Sequence, residues 1–293
     1  MPEPPDPRIM DGTGLAEAVR AAAGEQASGF RGLTGRPPCL AAVLVGDDPG
    51  SVTYVKMKQR RSATAGIDSQ LAQLSVSATT DQVVAAVSDL SADPGVDGIL
   101  VQHPVPKHVD ERAVFEAIDP AKDVDGVTMH SLAAMALGQP GFHSATPGGI
   151  LRLLDHYRVE LAGRHAVVVG RSPILGKPMG LLLLGRDATV TFCHSKTVDL
   201  AEIISTASVV VAAVGRPRFI RGDWLRPGAI VVDAGYNPGN IGDVAFEEAL
   251  PRVGLITPVP GGVGPVTISV LLEQTVSAAF ARAGLQQLAA TAS

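Results

Sequence analysis

The chain has 293 residues, 46% hydrophobic and 18% charged, which is enough apolar side chain for a sizeable core and too much for a disordered chain. A formal net charge of −5 argues against a globally basic, nucleic-acid-binding surface. Its two cysteines, Cys39 and Cys193, lie in apolar runs and build neither a disulfide framework nor a metal cluster.

The N-terminal MPEPPDPRIMD is proline-rich and acidic, unlike a secretory leader, and reads as a loose tail. Gly14–Phe30 reads as a first helix, and Cys39–Val45 as a strand apolar on both faces, suited to a parallel sheet. The turn Gly46–Gly50 leads to a helix from Ser51, its expected N-cap, to about Ala65. Tyr54 and Lys58 share one face of that helix. The neighbouring Lys56, Arg60 and Arg61 are expected to favour a neutral Lys58 amine by like-charge repulsion, although on these residues alone a solvated basic helix is the better reading. A strand at Gln70–Leu74 and a helix at Thr80–Leu90, capped by Thr80, follow. Gly98–Val101 is the next strand, and Gln102 stands at its C-terminal end, where open α/β sheets place ligands. Helices at Ala113–Ile118 and Ser131–Leu137 flank the loop Lys122–Val127. Its aspartates, Asp123 and Asp125, offer either acceptors for the paired N–H donors of a heterocycle or an Asx turn. Thr146 and Pro147 read as the N-cap and first residue of another helix.

Gly163–Lys196 reads as strand, glycine turn, helix and strand: His165–Val169, a turn with Gly170 and Gly176, a helix through Leu184, then Ala188–Phe192. Such a unit places a pyrophosphate at a helix N-terminus, although the glycine spacing is not GxGxxG and Gly176-Lys177-Pro178 is a near miss for a Walker A loop. An NAD site carries a carboxylate at the end of the second strand. Here that place holds His194, Ser195 and Lys196, with Arg171 in the turn, a set suited to the 2′-phosphate of NADP, the alternative being ordinary solvated loop residues. Strands follow at Ser208–Val214, Ala229–Val232 and Leu255–Ile256. Pro260–Pro265, with three glycines, opens a last helix over Val266–Ala283 and is either a tight turn or a loop that lets backbone approach a flat ligand. Ala289–Ser293 reads as a frayed end. The histidines show no metal-ligand spacing, and no nucleophile elbow is present. Apolar runs such as Val209–Val214 are too short to span a bilayer, so a soluble cytoplasmic protein without membrane or nucleic-acid partners is expected. The alternation of strands and helices predicts an α/β fold of two domains, the second a Rossmann-like doubly wound parallel sheet.

Nine segments in order, VGDDPGSVTYVKMK, GILVQHPVP, KDVDG, ATPGGI, VVVGRSPILGKPM, ATVTFCHSKT, VVDAGYN, GDVAF and TPVPGGVGPVT, resemble the bifunctional methylenetetrahydrofolate dehydrogenase/cyclohydrolase family. The resemblance implies NADP-dependent oxidation of 5,10-methylenetetrahydrofolate to the methenyl compound, then its hydrolysis to 10-formyltetrahydrofolate. It implies that Lys58 is the catalytic group of the hydrolytic step, that Gln102 supports it, that Tyr54 stacks near the folate and that Asp125 holds the pterin's amino edge. It assigns Gly170, Arg171, Ser172, Ser195 and Tyr236 to the cofactor, and Val101, Pro260, Gly261, Gly262, Val263 and Gly264 to the border of the folate site. It further implies a folate-binding domain over 1–145, joined by the C-terminal stretch 271–293, and an NADP-binding domain over 146–270. Folate is expected in the cleft between them, and a homodimer is expected through the cofactor domain. His103 replaces the leucine common after Val-Gln, Ala145 a cysteine, and Tyr236 an isoleucine, and the segment after Lys58 lacks a lysine-alanine-cysteine run. A monofunctional dehydrogenase and a non-catalytic folate- or nucleotide-binding protein are the alternatives.

Overall fold

In a computed structural model that describes residues 6–287, the apolar runs become central strands of two parallel sheets. β1 (Cys39–Val45) is buried along its whole length and pairs on one side with β2 (Asp68–Leu74), on the other with β3 (Gly98–Val101). β2 is the sparsely buried edge of this three-stranded sheet. Helices α1 (Thr13–Thr34), α2 (Pro49–Thr64), α3 (Thr80–Ala92), α4 (Glu111–Glu116) and α5 (Met129–Leu137) accompany it in the chain. The second sheet contains β4 (His165–Val169), β5 (Thr189–Cys193), β6 (Val209–Ala212), β7 (Ile230–Asp233) and β8 (Leu255–Ile256), ordered β5-β4-β6-β7-β8. The chain leaves β4 towards one edge and returns beyond it to β6, so the topological switch point lies between these two strands. Interleaved helices are α6 (Ala145–His156), α7 (Gly176–Leu184), α8 (Leu200–Ser205) and α9 (Phe246–Ala249). Val167, Val210, Val231 and Ile256 build the core of the five-stranded sheet.

The long α10 (Val263–Arg282) closes the fold. By length and composition it is apolar enough to cross a membrane, but two thirds of its apolar window (67%) is buried inside the protein, as in a core helix.

Two compact units emerge. The unit with the three-stranded sheet holds residues 17–134, 141–145 and those from Ile268 on; the unit with the five-stranded sheet holds residues up to Ala16, 135–140 and 146–267. In the first, Phe30 of α1 meets Phe280 of α10 edge to face at 5.3 Å. The fully buried Asp97 receives Arg36 at 2.7 Å and the Cys39 amide at 2.9 Å.

Several expectations are corrected. The N-terminal stretch is not loose where it is described: Ile9 forms a parallel bridge to Ile256, with Met10 N–H donating to the Ile256 carbonyl at 2.7 Å and Ile256 N–H to the Arg8 carbonyl at 2.8 Å. Arg8, Ile9 and Met10 keep the donors that prolines lack, so they can occupy the outer edge of β8. Residues 1–5 and the expected frayed end at Ala289–Ser293 lie outside the described residues. Asp48, not Ser51, caps α2, accepting the Ser51 amide at 2.9 Å, with Pro49 in the first turn where no N–H is needed. Thr79, not Thr80, caps α3 in a reciprocal capping box with Gln82. α6 begins at Ala145, which puts Thr146 inside its first turn, and α10 begins at Val263, within the glycine loop instead of after it.

Candidate active site

Lys58 lies one turn after Tyr54 on α2, whose Val55 and Ser62 are buried. Its Nζ donates to Gln102 Oε1 at 3.1 Å, and Gln102 Nε2 donates to the His103 carbonyl at 2.9 Å. Gln102 is itself fixed by backbone, its amide continuing the β1–β3 ladder to the Val43 carbonyl at 2.8 Å. Val101 ends β3, buried. Lys58 and Gln102, 44 residues apart in sequence, thus meet because β1 carries α2 at its end and β3 at its side.

Burial, not the neighbouring cations, pushes the Lys58 ammonium below the ordinary lysine range, while the Asp125 carboxylate pulls the other way. The expected like-charge effect of Lys56, Arg60 and Arg61 is therefore corrected. Lys56, Arg60 and Arg61 are exposed, and water screens them. Asp125 is itself pushed up to about 6 by burial, with Lys58 opposing and Asp123 reinforcing. An amine that readily sheds its proton beside a carboxyl that readily takes one is a pair suited to proton transfer near neutrality.

The two aspartates of KDVDG have separate tasks. Asp123 is fully buried and accepts from Val127 N–H, Thr128 N–H, Thr128 Oγ1 and Ser131 Oγ, so it builds the turn and caps the entry to α5. Asp125 interacts with Lys58 through charge and carries no such structural bonds. Lys122 is buried and spends its ammonium on the Leu90 and Asp93 carbonyls. Gly126, at φ 63°, leaves no room for a side chain: a Cβ there would lie 2.4 Å from the Ser144 amide. Gln274 of α10 clamps the loop, its Nε2 donating to the carbonyls of Val124 at 2.7 Å and His143 at 2.9 Å. Nothing in the sequence singled out Gln274, because a lone glutamine on a long apolar helix has no spacing signature.

The turn after β4 forms a second candidate site. Gly170 has φ 140° and a Cβ there would meet the Ala213 carbonyl at 2.2 Å; one at Gly176 would meet the Gly170 carbonyl at 2.5 Å. The turn is closed against β6 at the switch point, and only glycine lets it pass. Ser172 Oγ accepts the amides of Leu175 and Gly176 at 3.2 and 3.3 Å and so starts α7. The pairing of Val169 with Cys193, and the Gly170 amide donating to the Cys193 carbonyl, bring Arg171 to the side of His194, Ser195 and Lys196. Arg171, Ser195 and Lys196 are exposed, while His194 Nδ1 accepts the Lys196 amide at 3.2 Å.

Tyr236 follows β7, away from β4 by two strands, with its hydroxyl donating to Asn240 at 2.6 Å and its side chain 55% exposed. Pro260, Gly261 and Gly262 follow β8; Val263 and Gly264 open α10, and Gly261 adopts φ 107°. These four segments, after β4, β5, β7 and β8, lie at C-terminal ends of parallel strands, the ligand-binding side of such sheets. Sequence reading missed Asp243, which accepts the amides of Val214, Gly215 and Arg216 and fixes the turn after β6, and Asp233, which accepts those of Gly235, Asp243 and Val244. Both stand in motifs, VVDAGYN and GDVAF, whose buried aspartates were the available signal. No group of His, Cys, Asp and Glu among the described residues could hold a metal ion.

Comparison with known proteins identifies both halves of the chain. Residues 10–125 match the family model for the tetrahydrofolate dehydrogenase/cyclohydrolase catalytic domain, and residues 144–283 that for its NAD(P)-binding domain. The bifunctional protein FolD 1 of Streptomyces avermitilis is 63% identical over 280 residues, 96% of this chain and 98% of the relative. A bifunctional FolD from Campylobacter jejuni has a TM-score of 0.90 at 40% identity, covering 94% of this chain and 99% of that one. A Trypanosoma brucei methylenetetrahydrofolate dehydrogenase-cyclohydrolase, solved with NADP and an inhibitor, has a TM-score of 0.89 at 34% identity over 92% of this chain and 96% of its own. Matches of this extent on both halves leave one conclusion: the chain belongs to the tetrahydrofolate dehydrogenase/cyclohydrolase family.

Proposed function

We propose that the chain is a bifunctional enzyme that oxidises 5,10-methylenetetrahydrofolate with NADP and hydrolyses the resulting methenyl compound to 10-formyltetrahydrofolate. The observation that carries this reading is the contact of Lys58 with Gln102 beside Asp125. Asp125, an acceptor without structural bonds, receives the paired N–H donors of the pterin and orients the folate. Tyr54, one turn from Lys58, stacks on the ring system, and Val101, at the end of β3, borders it. Lys58, lowered by burial, takes a proton from the water that attacks the methenyl carbon, and Gln102 holds the amine towards it.

The turn after β4 fits NADP. Its glycine-closed backbone leads into α7, and Gly170, Arg171 and Ser172 would hold a pyrophosphate at the start of that helix. Arg171, Ser195 and Lys196 would receive the 2′-phosphate, since His194–Lys196 after β5 carry no carboxylate. Tyr236 borders the cofactor further along the sheet. Bound NADP supplies the hydride acceptor; the protein's share of that step is positioning, since hydride transfer needs no acid or base. A homodimer in the cytoplasm, built through the edge strand β5, completes the reading; Phe192 of that strand is 41% exposed.

The test is direct. Purified enzyme should form NADPH from methylenetetrahydrofolate, measured by absorbance, and should hydrolyse the methenyl compound. Lys58→Gln should lower hydrolysis by about 10²-fold or more while NADP affinity is unchanged. A wild type that makes NADPH but leaves the methenyl compound intact would reduce the enzyme to its dehydrogenase half.

A further inference from the structure

The residue after Gln102 is a histidine with no assigned task. His103 is half-buried, and among the described residues neither ring nitrogen has a hydrogen-bond partner. Neither is sealed from solvent without a partner either, so both remain open to something other than protein. Its backbone is tied to the reaction centre, since its carbonyl receives Gln102 Nε2 while Gln102 Oε1 receives Lys58 Nζ. Burial, with a smaller contribution from the Lys58 charge, brings its ring down to about 4. At neutral pH the imidazole is therefore uncharged and presents one lone pair and one N–H.

Resting on the function proposed above, we infer that His103 is a positioning residue for hydrolysis, whose neutral ring accepts a hydrogen bond from the attacking water and aims its oxygen at the methenyl carbon. The chemistry favours such a partner. The substrate of this step is a cation, and a second ammonium or an imidazolium facing it would repel it, whereas a neutral acceptor does not. Water forms a C–O bond to the methenyl carbon and gives one proton to Lys58. The C–N5 bond then breaks, its electron pair remaining on N5, which takes up the hydroxyl proton. One proton per turnover leaves for solvent as the cation becomes a neutral product. His103 keeps no proton in this sequence; it restricts where the water sits, which is the costly part of a reaction with a small nucleophile. Asp125, the other charged group of the cluster, is engaged with the pterin.

The experiment compares His103→Leu, His103→Asn and His103→Ala with wild type in both assays. The Leu variant should lose about tenfold in kcat for methenyl hydrolysis with KM and the NADP-dependent oxidation within twofold. The Asn variant, which keeps an acceptor, should retain most of the rate. Added imidazole should restore hydrolysis in the Ala variant, a response that a packing role would not give. Normal hydrolysis by the Leu variant, equal loss in both activities, or absence of imidazole rescue would each overturn the inference. A wild type without hydrolytic activity would instead overturn the function on which it rests.

Discussion

Asp125 shows how a functional residue weighs on the fold that carries it. Its carboxyl is shifted from 3.8 to about 6 by burial, so the folded state prefers it protonated. The stability linked to that proton is fully present below about pH 4 and is lost as pH rises through 6. Asp125→Asn removes the ionisation and none of the structural bonds of the loop, which belong to Asp123. The variant should thus be more stable than wild type by about 3 kcal/mol at pH 7.5 and within about 0.5 kcal/mol of it at pH 4, as read by denaturant unfolding at both values. It should also bind folate more weakly, because the amide NH2 would replace one of the two carboxylate oxygens and set a donor against one of the pterin's paired donors. Little of this was legible in the sequence. KDVDG reads as two equivalent carboxylates until the fold buries one in a turn and leaves the other beside Lys58. The same holds for the Lys58 amine: its sequence neighbours suggested repulsion, and the real cause, loss of water, exists only in the packed state.

At the scale of elements, strands were more legible than helix ends. β1, β3, β4 and β8 have the limits expected from their apolar runs, because a strand buried on both faces writes its length directly into hydrophobicity. Helix starts were displaced because polar residues compete for one cap. Asp48 and Ser51, or Thr79 and Thr80, are chemically alike candidates, and only the geometry of the free amides decides between them. The glycine turn after β4 was legible as a ligand loop, though not its tightness against β6. That tightness makes a prediction: Gly170→Ala combines an unfavourable φ with a Cβ 2.2 Å from the Ala213 carbonyl. It should cost about 3 kcal/mol of stability and lower NADP affinity, both measurable by thermal unfolding with and without NADP, while Lys58-dependent hydrolysis is affected less.

For the whole molecule, the chain passes between its two compact units five times, at residues 16, 134, 140, 145 and 267. Neither unit can be released by one cut. A fragment of residues 1–145 retains all three strands of the smaller sheet yet lacks the end of α10, which supplies Phe280 against Phe30, Arg282 near Asp97 and Gln274 against the KDVDG loop. The fragment should show no cooperative unfolding transition by circular dichroism, whereas residues 17–145 linked to 268–287 should show one. The family assignment, the α/β class and the identity of the cofactor were readable from motifs in order. The multiple crossings were not, because periodicity describes each helix and is silent on which sheet it serves.

The bond from Gln274 to the Val124 carbonyl spans 150 residues. Translation proceeds from the N-terminus, so a ribosome exposes Asp125 long before it has made the glutamine that steadies it. Until α10 emerges, the nascent protein holds every strand and most of its chemical groups without the clamp that aligns them. The loop that carries Asp125 is therefore clamped only once residue 274 has left the ribosome.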